Sequence, residues 1–342
     1  MAASTLPSPR TPDPHLAPTL RWGIMGPGWI AQRFTAILQK HTSQQVVAVG
    51  SRNQARADEF AAQRSVPTAH GSYEQLLADP GIDIVYVATP HTEHHACALA
   101  TLASGKHVLV EKPLGVNAVQ AAAIAEAASA AGLFAGEAMW TKFLPKFDVV
   151  RQIIDEGMLG QVHTVIADHG EHFTTDHRIY DPSLAGGPLL DLGTYPVSLA
   201  QFVLGKPESV LASGQPANSA LNGQISAILT HAGGTQASLH TTILSNTPTV
   251  AVIAGDAATL TMPGKFFEPG PFTVAHIDGT SLRYDEPTSP DGYGLHFAAV
   301  EAASIIGAGG IESLVHPLAV ATVTVATMDE IRRQLDIVFP GD

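Results

Sequence analysis

The chain has 342 residues, a length that suits two domains and a sizeable buried core. Its 31 acidic residues against 18 basic ones give a formal charge of −13, which argues against nucleic acid or an anionic membrane as the partner of its surface. With 14% charged and 45% hydrophobic residues the chain is too apolar to be disordered for most of its length, yet nothing reaches the roughly 18 uninterrupted apolar residues of a membrane helix.

Residues 1–18 carry five prolines and no apolar run after the initiator, so they lack the core of a secretory signal and are expected to form a disordered tail. The single cysteine, Cys97, cannot close an intramolecular disulfide, which fits a reducing, cytoplasmic setting. From Leu20 onward short apolar runs alternate with helical stretches. Strands are predicted at Leu20–Met25, Val46–Gly50, Ile82–Ala88, His107–Val110 and Leu133–Ala135. Helices are predicted at Ile30–Gln39, Gln54–Ala62, Ser72–Ala78, Glu93–Ala103 and Ala118–Ala131. Such alternation is the signature of a parallel sheet with crossover helices, predicted to occupy residues 19–143.

Past residue 144 the pattern changes. One helix, Lys146–Glu156, precedes strand-like segments at His163–Asp168, Ser209–Ser213, Gln224–Thr230, Thr235–Thr242, Thr249–Ala254, Ala258–Met262 and Phe272–His276. Turn residues such as Ala232-Gly233-Gly234 and Gly255-Asp256 separate several of them, which suits an antiparallel sheet. Further helices are predicted at Leu189–Phe202, Leu295–Ile306 and His316–Leu335. Residues 144–342 are therefore read as an α+β domain with a large, mainly antiparallel open sheet, its last helix free to pack back on the first domain.

The first strand ends in Gly26-Pro27-Gly28-Trp29-Ile30-Ala31, a G-x-G-x-x-A turn opening a helix. Gly26 suits the tight turn, Gly28 lets the backbone approach a pyrophosphate, and the N–H groups at Trp29 and Ile30 begin a helix whose dipole favours phosphate. At the end of the second strand, where a carboxylate would accept bonds from the ribose of NAD, the chain has Gly50-Ser51-Arg52-Asn53. With no acid there, Ser51 and Arg52 point to the 2′-phosphate of NADP in preference to NAD; the alternative is an Arg52 stacked on adenine, compatible with both.

Glu111-Lys112-Pro113 follows the strand His107–Val110, so Lys112 falls at the carboxyl edge of a parallel sheet, where ligands bind in such folds. Thr89, Pro90 and His91, with His94, follow an adjacent strand and are expected beside the nicotinamide ribose. Asp191 and Tyr195 are four apart in a predicted helix, so carboxylate and phenol share a face, with Pro196 hinting at local irregularity. Alone, Lys112 reads as a surface lysine and Tyr195 as a half-buried core tyrosine; the combination points to proton transfer.

Gly26–Ala31, Glu111-Lys112-Pro113 and Asp191-x-Gly-x-Tyr195 together resemble the glucose-fructose oxidoreductase, inositol dehydrogenase and MocA family, over residues 20–340. Glu137–Thr141 and Leu184–Gly187 are similar to its dihydrodiol and D-xylose dehydrogenase branch. The resemblance implies a Rossmann domain, a C-terminal open-sheet domain, and hydride transfer between a sugar or cyclic-diol hydroxyl carbon and NADP or NAD. It implies an aldose 1-dehydrogenase or a dihydrodiol dehydrogenase, since many members have histidine where this chain has Tyr195. It makes Tyr195 the base, Lys112 the group that stabilises its tyrosinate, Asp191 an orienting carboxylate and Trp140 a pocket residue, and it points to a homodimer or higher oligomer. An inositol or anhydrosugar dehydrogenase of the same family, or a catalytically silent nucleotide sensor, are the alternatives.

Two histidine-rich segments remain: His91-Thr92-Glu93-His94-His95, and His169-Gly170-Glu171-His172 with Asp176 and His177. Neither has the spacing of a zinc protease and hydride transfer needs no metal, so no metal is expected. His169 and Arg178 are instead candidates for contacts to substrate hydroxyls.

Overall fold

A computed structural model describes residues 5–218, 221–286 and 294–342, so part of the expected tail, residues 1–4, lies outside the described residues. The described residues fall into two compact units: residues 12–143 with 294–322, and residues 5–11, 144–286 and 323–342.

In the first unit a six-stranded parallel sheet is built from β1 (Arg21–Met25), β2 (Gln45–Gly50), β3 (Thr68–His70), β4 (Ile84–Val87), β5 (His107–Val110) and β6 (Ala135–Glu137), in the order β3-β2-β1-β4-β5-β6. The crossovers are α1 (Trp29–His41), α2 (Gln54–Arg64), α3 (Tyr73–Ala78), α4 (His94–Ala103) and α5 (Ala118–Ala131). Central strands such as β4 are buried at every residue because helices cover both faces. Phe34 of α1 shows the packing: it stacks on Tyr86 of β4 at 3.8 Å and meets Trp22 of β1 edge-on at 5.7 Å. Helix starts follow local chemistry, with Asn53, Ser72 and Asn117 each capping a backbone N–H three residues ahead. The strand order reverses between β1 and β4, which makes their carboxyl ends the switch-point crevice of the sheet.

Three points depart from the sequence reading here. The strand expected at Leu133–Ala135 runs instead from Ala135 to Glu137, because α5 ends in the left-handed Gly132 and the chain needs Leu133 and Phe134 to reach the sheet. Strand β3 went unpredicted, since a three-residue, half-buried edge strand carries too little alternation to read. Helix α8 (His296–Gly307), predicted with the second domain, is counted with the first unit and packs on α1.

The second unit holds an eight-stranded mixed sheet: β7 (Val162–Gly170), β8 (Pro207–Pro216), β9 (Asn222–His231), β10 (Gln236–Thr242), β11 (Ala251–Gly255), β12 (Ala258–Met262), β13 (Phe272–His276) and β14 (Ser281–Tyr284). The order is β14-β13-β12-β11-β7-β10-β9-β8; every pairing is antiparallel except β7 with β10. Helices α6 (Pro145–Asp155), α7 (Thr194–Leu204) and most of α9 (Leu318–Gln334) accompany it. Along β7, β9 and β10 burial alternates residue by residue, as it must when one face is covered. The other face carries a cross-strand row, Leu211, Ile228, Ser238, Ile166 and Val252, with Leu211, Ile228 and Ile166 exposed. Among the described residues no helix is long and apolar enough to cross a membrane.

Candidate active site

The nucleotide side forms at the carboxyl edge of the first sheet. After β1 the chain turns at Gly26, whose φ of +94° disfavours a side chain and whose Cβ would lie 3.0 Å from the Ala88 carbonyl oxygen. Gly28 caps α1 without a side chain, and a Cβ there would meet nothing nearer than Ala88 O at 3.8 Å. The first-turn N–H groups, among them those of Trp29 and Ile30, thus begin a helix whose cap leaves room for an anion, which fits a dinucleotide pyrophosphate. Trp29 is exposed, with the Arg33 guanidinium 5.0 Å above its ring.

At the end of β2, Ser51 is buried and its hydroxyl accepts the Asn53 N–H at 3.2 Å. Asn53 caps α2 by accepting the Arg56 N–H, so its oxygen is committed to the helix. Arg52 is exposed and lies 3.8 Å from the Glu93 carboxylate. No carboxylate occupies the three residues after the strand.

Thr89, Pro90 and His91 follow β4, with His91 buried at the start of a short 3₁₀ turn. His94 is completely buried, its ring nitrogens 2.8 Å from the Pro113 carbonyl and 3.0 Å from the Thr89 carbonyl. Burial holds its pKa below the usual histidine range. It staples the turn after β4 to the turn after β5. Glu111 accepts a short hydrogen bond from the Tyr86 hydroxyl and the backbone N–H of Lys112 at 3.1 Å. Lys112 is half-buried, and its peptide to Pro113 is cis. Glu137, at the end of β6, accepts the Leu114 N–H at 2.8 Å and the His316 Nε2–H at 2.6 Å, and both side chains of that pair are 1% exposed. Trp140 is buried in the 3₁₀ turn that follows.

The second cluster belongs to the second unit. The predicted continuous helix Leu189–Phe202 is two elements: a π-helical turn, Leu189–Gly193, and then α7. Pro196 explains the irregularity, because it has no N–H to give the Leu192 carbonyl. His169 Nδ1 lies 3.2 Å from that carbonyl oxygen. Asp191 accepts from Arg178 Nη2 at 3.0 Å, while Tyr195, 8% exposed, stacks on Phe267 at 4.3 Å with His169 5.5 Å away. His169 Nε2 lies 3.2 Å from Glu171 Oε1, and Lys265 lies 3.6 Å from the same oxygen; bonding to His169 holds the Glu171 pKa low. The loop bearing Arg178 lies close because Gly186 has no side chain: a Cβ there would be 2.6 Å from the Ile179 carbonyl oxygen.

Lys112, Thr89, Pro90, His91 and His94 thus gather in the first unit, and Asp191, Tyr195, His169 and Arg178 in the second. Sequence reasoning missed Glu137, whose signal was an acid in the otherwise small, buried strand β6. It also missed Phe267, for which no sequence signal existed. Among the described residues no three His, Cys, Asp or Glu side chains form a metal-ligand set.

A switch-point glycine turn on a β3-β2-β1-β4-β5-β6 sheet defines a dinucleotide-binding Rossmann domain, and the second unit of the chain carries a buried tyrosine. Residues 20–137 match the oxidoreductase family with the NAD-binding Rossmann fold, and residues 147–261 match the GFO/IDH/MocA C-terminal domain. The chain belongs to the GFO/IDH/MocA oxidoreductase family. It is 35% identical to trans-1,2-dihydrobenzene-1,2-diol dehydrogenase from Bos taurus over 337 residues, covering 94% of this chain and 99% of the relative. In fold it is similar to a 3-ketoreductase from Actinomadura kijaniata in complex with NADP and TDP-benzene, at TM-score 0.81, 24% identity and coverage of 92% and 97%. It is also similar to levoglucosan dehydrogenase in complex with NADH and levoglucosan, at TM-score 0.82, 18% identity and coverage of 93% and 97%.

Proposed function

We propose that the protein is an NADP-preferring dehydrogenase that oxidises a hydroxyl carbon of a cyclic trans-diol, with an aldose such as D-xylose as the second substrate class. The observation that carries this reading is near-full-length similarity to a trans-dihydrodiol dehydrogenase together with a tyrosine, Tyr195, held in a buried aromatic cluster. Gly26, Gly28, Trp29, Ile30, Thr89, Pro90 and His91 hold the dinucleotide, and Ser51 and Arg52 meet its 2′-phosphate. When bound, the dinucleotide supplies a nicotinamide ring as hydride acceptor.

Tyr195 takes the hydroxyl proton as the carbon loses hydride. An ordinary phenol ionises near ~10 and is a poor base at neutral pH, so the role requires a cation, which we assign to Lys112. Arg178 and Asp191, bonded to each other, offer paired donors and acceptors to substrate hydroxyls; His169 of the same unit and Trp140 of the first unit are further proposed substrate contacts. Complete burial leaves His94 to hold the Lys112 turn in place, not to touch cofactor. The free, buried Cys97 suits a cytoplasmic setting, and the exposed Leu211-Ile228-Ile166 row suits a second copy of the chain.

The test is initial-rate kinetics with NADP and NAD against trans-1,2-dihydrobenzene-1,2-diol, D-xylose, an inositol and an anhydrosugar. Tyr195→Phe and Lys112→Ala should each lose about 10²-fold or more in turnover with cofactor affinity retained. Wild-type rates in both variants would overturn the assignment, and turnover confined to the inositol would overturn the substrate class.

A further inference from the structure

Lys146 is buried to 2% exposure in the first turn of α6, a place where a lysine demands a reason. Its Nζ donates to the Phe266 carbonyl at 2.8 Å and, in a shorter bond, to the Glu268 carbonyl. Those two carbonyls flank Phe267. The Phe267 ring lies 4.3 Å from the Tyr195 ring at an interplanar angle of 20°, and 4.6 Å from His169. Phe266 packs edge-on against Phe267 at 5.6 Å. One cation thus grips the backbone on both sides of the residue against which the proposed proton acceptor stacks.

We propose that Lys146 is a positioning residue for the reaction: its ammonium fixes the 266–268 turn, which sets Phe267 and, through the stack, the Tyr195 phenol. The inference rests on the reading of Tyr195 as the proton acceptor. A neutral side chain would hold a turn without desolvating a cation, which is costly when the charge is not well compensated. A cation with two carbonyl acceptors gives a stiffer grip, because charge-assisted bonds are roughly twice as strong as neutral ones.

Burial pushes the Lys146 amine down to about 8, against the opposing pull of Glu286 and Glu268. Among the described residues the other charged or titratable groups around the assembly include Tyr195, His169, Glu171, Lys265 and Tyr284, where Lys265 is 3.6 Å from Glu171 and 3.5 Å from Glu268 and Tyr284 feels the charge of Glu286. Above that pH the grip weakens to neutral hydrogen bonds and turnover falls.

The experiment uses the full-length enzyme with NADP and trans-1,2-dihydrobenzene-1,2-diol. Lys146→Met is expected to lower kcat about tenfold, as a sub-ångström misplacement of a reacting group would, and to leave the KM for NADP unchanged. It also removes the alkaline fall of kcat centred near pH 8. Lys146→Arg, which keeps a charged multiple donor, should recover most of the rate. Phe267→Leu should cost about as much as Lys146→Met, and the double variant no more than the worse single one, because both act through the same stack. Additive losses, or an unaltered kcat and pH profile in Lys146→Met, overturn the proposal.

Should Lys146→Met not fold, near-ultraviolet circular dichroism of the unmodified enzyme gives an independent measure. Its aromatic signal should change across a titration centred near pH 8, a change absent in Phe267→Leu, and a flat signal overturns the proposal. Tyr195→Phe separates the two inferences. If it retains turnover, the site reading fails; if it is inactive while Lys146→Met is normal, only the role of Lys146 fails.

Discussion

Removing the Glu137 carboxylate should damage both the stability of the nucleotide unit and the turn that carries Lys112. Glu137 and His316 are 179 residues apart in sequence, each 1% exposed, and joined at 2.6 Å. The second Glu137 oxygen accepts the Leu114 N–H at 2.8 Å, two residues beyond Lys112. Glu137→Ala therefore strands a buried histidine and a buried backbone donor together. Breaking one side of a buried pair costs about 3–5 kcal/mol, a large share of a total stability of about 5–15 kcal/mol. In a unit of this size that corresponds to a fall in Tm of roughly 6–20 °C.

Scanning calorimetry of the wild type, Glu137→Ala, His316→Ala and the double variant would measure it. The double variant should lose less than the sum of the singles, since it removes both unpaired groups at once. Rates should fall with stability in Glu137→Ala, because the Leu114 N–H is left without its acceptor. A Glu137→Ala protein melting within about 2 °C of the wild type, or a strictly additive cycle, would refute the argument that the pair is a coupled buried contact.

Three further outcomes follow from particular residues. Arg52→Ala should weaken NADP binding by roughly ten- to hundredfold, the worth of one charge-assisted contact, while scarcely changing NAD binding; nucleotide fluorescence titration decides it, and tighter NAD than NADP binding in the unmodified protein would refute it. Leu211→Asp with Ile228→Asp should shift sedimentation from dimer to monomer at micromolar concentration, and a monomeric wild type would end the idea that the exposed sheet face is covered by a second copy. His296, stacked on His41 at 5.2 Å, has its pKa pushed down to about 4 by burial and by His41 and His15, so the folded state holds it neutral. The unfolded chain binds that proton first, so His296 contributes stability fully above about pH 6.5 and loses it as the pH falls toward 4. The loss is at most about 3 kcal/mol, and His296→Phe should flatten the melting-temperature profile across that window; an unchanged profile would exclude His296 as its source.

Much of this protein is set by local chemistry and so was legible in one dimension. The G-x-G-x-x-A turn and the alternation of apolar runs with helices depend on neighbours within a few residues, and α5 falls at Ala118–Ala131 as predicted. The lysine after β5 is placed by the strand it follows, because a parallel sheet fixes which end of each strand faces the crevice.

What the sequence could not specify are contacts closed over long loops. Helical spacing read residues 189–202 as one helix; the fold divides them into a π-helical turn and α7, because Pro196 lacks a donor, and brings Arg178 to Asp191 and Phe267 to Tyr195. Glu137 with His316, and Lys146 with the turn around Phe267, join segments 179 and at least 120 residues apart. A charged group is buried only where the folded chain supplies its partner, and periodicity reports only that a residue faces inward. Which partner waits there is decided by how the sheets order their strands, and that order was visible only in three dimensions.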